Sequence, residues 1–169
     1  MKGSISTRVL LMGVAAGSML AVPLATPAWP ALAPSVVCSK LTSTTTISGP
    51  NGTTASTLST CAPAALSAGG TSKVTVPVSK LTGNVTSKMI WNGGKGTTSV
   101  TEHYATTKSK GKCPAGTLYH AVVTGTTGAS TGAAAKTIKK GEPISASVCA
   151  KSVGGKYVST LEPGTKFKL

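Results

Sequence analysis

The chain has 169 residues and a formal net charge of +14, from 17 lysines and arginines against three acidic residues, and only 4% of it is aromatic. That length suffices for one domain with its own core and calls for no second. Aspartate and glutamine are absent, which excludes a Ser-His-Asp triad and leaves the paired carboxylates of a glycosidase almost without candidates.

The amino end has a basic start with Lys2 and Arg8, an apolar run from Val9 to about Leu24 broken by Gly13, Gly17 and Pro23, and a small-residue tail. This is the layout of a secretory signal peptide over residues 1–33 rather than of a retained membrane span. Cleavage after Ala33 follows the small-x-small sequence Ala31-Leu32-Ala33 but sets Pro34 behind the cut; cleavage after Ala28 is the alternative. Cys38 lies too far from the apolar run for a lipid anchor. The expectation is a secreted protein, extracellular or held at the cell envelope, with one β-rich domain over residues 34–169 and no transmembrane segment once the signal is removed.

Loss of the signal takes Lys2 and Arg8, so the domain keeps fifteen lysines and no arginine, a balance of +12 against Glu102, Glu142 and Glu162. A lysine surface keeps such a protein soluble and attracts polyanions, of which an anionic cell-envelope polymer is the expected partner. Sequence-specific nucleic-acid recognition is disfavoured, because guanine readout and phosphate forks rely on arginine. The densest basic spots are Lys108, Lys110 and Lys112 in one loop and Lys139 with Lys140 in another; these are the candidate anion-binding residues.

Cys38, Cys61, Cys113 and Cys149 are the only cysteines. An even number in an exported chain reads as disulfides, with three pairings open. Cys38 and Cys61 are nearly symmetric about Gly49-Pro50-Asn51-Gly52, a turn signal between two threonine-rich runs, so a hairpin would bring them together. That leaves Cys113 with Cys149, tying the strand near Val148 to the strand that begins at Thr117. No C-x-x-C pair supports a zinc site.

Residues 36–47 and 53–60 carry threonine and β-branched residues without helical period and predict two paired strands. Residues 62–68 allow a single helical turn, with Pro63 near its start and Gly69-Gly70 as the stop, as the one short helix. Val74, Val76 and Val78 alternate with polar neighbours, and Pro77 puts that strand at an edge or its own end. Further strands are predicted over 84–91, 97–107, 118–124, 143–150, 157–161 and 166–169, whereas Gly125 to Lys140 reads as a mobile loop. About seven to nine short strands between glycine-rich turns predict an all-β fold, an antiparallel sandwich or barrel stapled by two disulfides.

Cys38-Ser39-Lys40-Leu41-Thr42, the return Leu58-Ser59-Thr60-Cys61, Ile90-Trp91-Asn92-Gly93-Gly94 and Val123-Thr124-Gly125-Thr126 together resemble a group of small secreted β-rich proteins of actinobacteria. Ser43 and Thr60 stand where that group has glycine. The resemblance implies export, a β fold and the first disulfide; it implies no activity and no site.

For chemistry the sequence offers Glu102, His103 and His120. If strands 97–107 and 117–124 pair with His103 opposite His120, then Tyr104 meets Tyr119 and Val100 meets Val123. Alternation then puts the valines, the tyrosines and Glu102 on one face and both histidines on the other. Neighbouring imidazoles suit a metal or acid/base work, but Glu102 would point away from them. Trp91, beside a glycine turn, suits either a buried core plug or an exposed platform for sugar stacking. The functional expectation is a non-enzymatic binding or structural module without metal or cofactor. The alternatives are a hydrolase or metal-binding protein using His103, His120 and Glu102, and an inhibitor or host-interaction protein presenting the loop around Cys113.

Overall fold

The computed structural model describes residues 32–77, 82–108 and 111–169, with the side chains of Thr107 and Lys108 excepted. Residues 1–31, where the signal peptide is expected, Val78 and Lys110 lie outside the described residues.

Nine strands form in chain order: β1 (Val37–Ser48), β2 (Asn51–Ala62), β3 (Gly70–Pro77), β4 (Thr82–Trp91), β5 (Gly96–Lys108), β6 (Tyr119–Ser130), β7 (Pro143–Val153), β8 (Lys156–Leu161) and β9 (Phe167–Lys168). Each of β1 to β7 pairs antiparallel with the next strand in sequence, and β8 returns to β1 through Thr42–Thr45 against Thr160–Tyr157. The sheet therefore closes into an up-and-down barrel, which resolves the choice between sandwich and barrel. β9 occupies the same slot as β8, between β1 and β7, at Val37↔Lys168 and Ser145↔Lys168. The eighth stave is thus broken in two by the turn at Pro163-Gly164, where Thr165 donates from both its amide and its hydroxyl to the Glu162 carbonyl at 3.0 and 2.7 Å.

One seam is incomplete. β3 pairs with β2 from Gly70 to Pro77, but with β4 only at Gly70↔Trp91 and Thr71↔Ile90 among the described residues. Beyond Thr71 the two strands part over about 20 Å of strand length. Pro77 is tolerated because it ends β3, as expected of a residue with no amide to donate.

Alternation sorts the side chains. Along β4 and β5, Asn84, Thr86, Lys88, Thr101 and His103 are exposed, while Val85, Met89, Val100, Glu102 and Tyr104 face inward. A polar exterior around an apolar interior is the reverse of the outward apolar band of a membrane-spanning barrel. No helix among the described residues is long and apolar enough to cross a membrane.

One end of the barrel is filled. Val36, Cys38, Leu58, Cys61, Leu66, Met89, Trp91, Val100, Ile138, Ile144, Phe167 and Leu169 pack there as one buried cluster. Both ends of the domain join it, since Val36 and Leu169 exchange backbone hydrogen bonds of 2.7 and 2.9 Å. Trp91 is 1% exposed and donates its indole N–H to Thr98 Oγ1 at 2.9 Å, with Thr98 in turn bonded to Ser130 Oγ at 3.0 Å. Trp91 is the core plug; the exposed platform is excluded.

The disulfides are Cys38–Cys61, whose residues face one another across β1 and β2, and Cys113–Cys149. Both pairings are the expected ones, the first from the hairpin and the second as a tie between later strands. Thr60, beside the first bridge, has φ 54°, a conformation that suits the glycine of the resemblance better than a β-branched residue.

Two expectations need correction. The stretch from Gly125 to Lys140 is not a mobile loop: β6 runs to Ser130, and a short helix α1 (Ala134–Thr137) follows, burying Ala134 and Ile138. It is therefore a second helical element beside the expected turn, which forms as a 3-10 turn at Ala64–Leu66. The glycines that made the stretch look mobile are needed for close packing: a Cβ on Gly125 would lie 2.2 Å from the Thr101 carbonyl oxygen. The second correction is the β5–β6 register, which sets His103 opposite Thr124 and Tyr104 opposite Val123, four residues along β6 from the expected pairing. An even shift leaves every side chain on its predicted face.

Candidate functional site in the barrel lumen

Above the packed end the barrel is hollow. A cavity of about 540 Å³ is lined from all eight staves, by Leu41, Val74, Val85, Val123 and Val148 among its apolar residues and by Tyr104, Tyr119, Tyr157 and Glu102 among its polar ones. Eight-stranded barrels have an interior that side chains just fill, or that holds one small ligand. Here serine, threonine, glycine and alanine occupy much of the β1, β2 and β7 wall, so the upper interior stays unfilled.

The hydroxyls of that wall satisfy one another. Ser43 Oγ lies 2.8 Å from Ser56 Oγ, and Thr45 Oγ1 lies 2.7 Å from Thr54 Oγ1, each a cross-strand pair. On the opposite side Gly83 gives the Tyr104 ring its room, since a Cβ at Gly83 would meet the Tyr104 hydroxyl at 3.1 Å. Tyr119 and Tyr157 are tilted neighbours with ring centroids 6.2 Å apart. Glu102 is the one acid of the described lining: its carboxyl has no hydrogen bond or ion pair among the described residues, and burial pushes its pKa above the ordinary carboxylate value.

A raised carboxyl pKa has a defined effect on stability. Between its unfolded value near 4.5 and its higher folded value, the folded protein binds more protons than the unfolded chain, so stability falls as pH rises through that window. Glu102→Gln cannot ionise. We expect the variant to match the parent in thermal melts near about pH 4 and to melt higher than the parent near about pH 8. Parallel melts across that range check this, and curves that stay a constant distance apart would refute it.

The three residues singled out for catalysis do not assemble. Glu102 is inside, whereas His103 is outside and exposed, its Nδ1 2.8 Å from Asn84 Oδ1 and its Nε2 3.3 Å from Thr82 Oγ1. His120 lies opposite Thr107 rather than His103, and its Nε2 is 3.3 Å from Glu162 Oε2. No group of three or more His, Cys, Asp and Glu side chains able to hold a metal occurs among the described residues. Glu162 serves the framework instead. Its Oε1 accepts the Lys112 amide at 2.6 Å, and that hydrogen bond, with His120 beside it, holds its pKa below the usual range. It thereby fixes the loop carrying Cys113 against the outer wall.

The candidate anion-binding lysines separate as well. Lys112 belongs to the loop that precedes β6, whereas Lys139 and Lys140 follow α1 near Thr127, towards the other end of β6. Lys110 and the Lys108 side chain lie outside the described residues.

No protein-family model, curated protein or solved structure matches the chain.

Proposed function

We propose that this is an exported, non-enzymatic binding protein that carries one small apolar or amphipathic molecule in the lumen of its barrel. The observation that carries the reading is the lined, unfilled cavity of about 540 Å³, a size within the range of small-molecule sites. Its apolar walls supply the affinity, and a few polar groups supply orientation. The two disulfides and the leader-like amino end support action in an oxidising compartment. The lysine exterior then serves chiefly to keep a threonine-rich barrel dispersed, since Lys112 and the Lys139–Lys140 pair lie towards opposite ends of one strand; electrostatic attachment to an anionic envelope polymer draws less support.

The test is a blocked lumen. Ala121 and Ala150 line the cavity from β6 and β7, so Ala121→Phe with Ala150→Phe fills empty space rather than displacing packed atoms. A fluorescent apolar reporter such as N-phenyl-1-naphthylamine should bind the parent saturably, one per chain. Its affinity for the filled variant should fall by about tenfold or more, a loss of at least about 1.4 kcal/mol. An unchanged melting temperature would show that the barrel survived. Equal binding by both proteins, or no saturable binding by the parent, would overturn the reading.

A further inference from the structure

Building on the lumen-binding reading, we propose that the molecule held in the lumen is a lipophilic amine, its ammonium group paired with Glu102 and its apolar body lying along the β4–β7 wall. The charge inside the barrel is opposite to the charge outside it. Among the described residues lining the cavity there is no lysine, arginine or histidine, and Glu102 is the one carboxylate; the remaining titratable groups there are the phenols of Tyr104, Tyr119 and Tyr157. The chain nevertheless carries fifteen lysines beyond its leader segment. A fatty acid or phosphate head would meet no cation and one like charge among the described lining residues.

Glu102 is also a lumen group without a hydrogen bond or ion pair among the described residues, and the one of these that can carry a carboxylate charge. The Ser43–Ser56 and Thr45–Thr54 pairs close the hydroxyls of the opposite wall on themselves. An ionised carboxylate partly screened from water gains most from a cation that brings hydrogen-bond donors, because the pair offsets the desolvation that each would suffer alone. A neutral alcohol supplies one hydrogen bond and leaves the charge uncompensated. The tyrosines add to the same preference: Tyr104 lies two residues along β5, on the same inward face as Glu102, and ring faces attract organic cations. The exterior lysines oppose the approach of an amine only over the Debye length, about 8 Å at physiological salt.

Three probes of equal chain length separate the possibilities by calorimetric titration at about pH 8: octylamine, octan-1-ol and octanoate. The parent should bind octylamine about tenfold or more tightly than octanol, and octanoate most weakly, as expected for a charge-assisted hydrogen bond over a neutral one. Glu102→Gln should abolish the preference for the amine while leaving octanol affinity within about twofold. Lowering the pH until Glu102 is protonated should remove the same preference in the parent. Equal affinity for amine and alcohol, tightest binding of octanoate, or an amine preference that survives Glu102→Gln overturns the proposal and leaves lumen binding in place. Failure of all three probes to bind overturns lumen binding itself.

Discussion

Replacing Cys38 and Cys61 together by serine should destabilise the barrel by about 5 kcal/mol and lower its melting temperature by roughly 15 °C, more than the same change at Cys113 and Cys149. Loop length alone predicts the opposite order. The first bridge spans a sequence separation of 23 and the second one of 36, for which the chain-entropy model gives about 3.4 and about 3.8 kcal/mol. Burial reverses the ranking. Cys38 is fully buried and Cys61 is 8% exposed within the apolar cluster, so two serines there place two hydroxyls among Leu, Val and Met side chains. Each hydroxyl costs roughly 1–2 kcal/mol if it finds no partner. Cys113 instead sits in a loop on the outer wall, partly exposed, where a serine is hydrated at little cost; Cys149 is 5% exposed but lies outside the apolar cluster, so the second bridge places one buried hydroxyl rather than two. Urea unfolding of the two double variants in one buffer gives the comparison. A larger loss at Cys113 and Cys149 would mean that denatured-state entropy, rather than the packed end of the barrel, sets the value of these bridges.

How far the sequence could be read follows from what each feature depends on. The β1–β2 hairpin was legible because its information is local: Gly49-Pro50 breaks two threonine-rich runs, and the cysteines lie symmetrically about it. Closure into a barrel was not, because it rests on Thr42–Thr45 meeting Tyr157–Thr160 across almost the whole domain, and no local pattern specifies a pairing at that range. The register of β5 and β6 shows the same division. Period-two alternation fixes which face a side chain takes, and Glu102, Tyr104 and Tyr119 are together on one face as expected. A slip of four residues preserves every face, so alternation could not choose between His120 and Thr124 as the partner of His103. Close approach of the backbones at Gly125 and Gly128 accompanies the register that forms. The site was half legible for a related reason. The sequence grouped its residues, but whether that face lined a lumen or met solvent depended on closure. The histidines and lysines drew notice for their chemistry, whereas Ser43, Thr54 and Ala146, which keep the lumen open by being small, carry no chemical signal.

The second large effect should come from Glu142, which the sequence presents only as an acid after Lys139-Lys140-Gly141. It is 3% exposed, and its carboxylate receives the Ser35 amide at 3.0 Å, the Ser35 hydroxyl at 2.6 Å and the Lys139 amide at 2.6 Å. Its own amide donates to Thr127 Oγ1 at 2.9 Å, and Thr127 Oγ1 donates to the Lys139 carbonyl at 2.6 Å. This one side chain therefore joins the segment that precedes β1 to the segment between α1 and β7, beside the packed floor of the lumen. Glu142→Ala removes the acceptor of two part-buried backbone amides and one hydroxyl at once, which should cost about 4 kcal/mol. Glu142→Gln keeps the shape and one carbonyl but turns an NH2 towards the remaining donor, for about 2 kcal/mol. Glu162→Ala is the contrasting case. That carboxylate also accepts a backbone amide and pairs with a histidine, yet it does so at the solvent-facing wall, and its loss should loosen the Lys112 loop with little effect on the global melt. The three variants, unfolded side by side, separate burial from charge pairing as the source of stability. If Glu162→Ala proved as damaging as Glu142→Ala, the outer loop rather than the floor would be what holds the barrel closed.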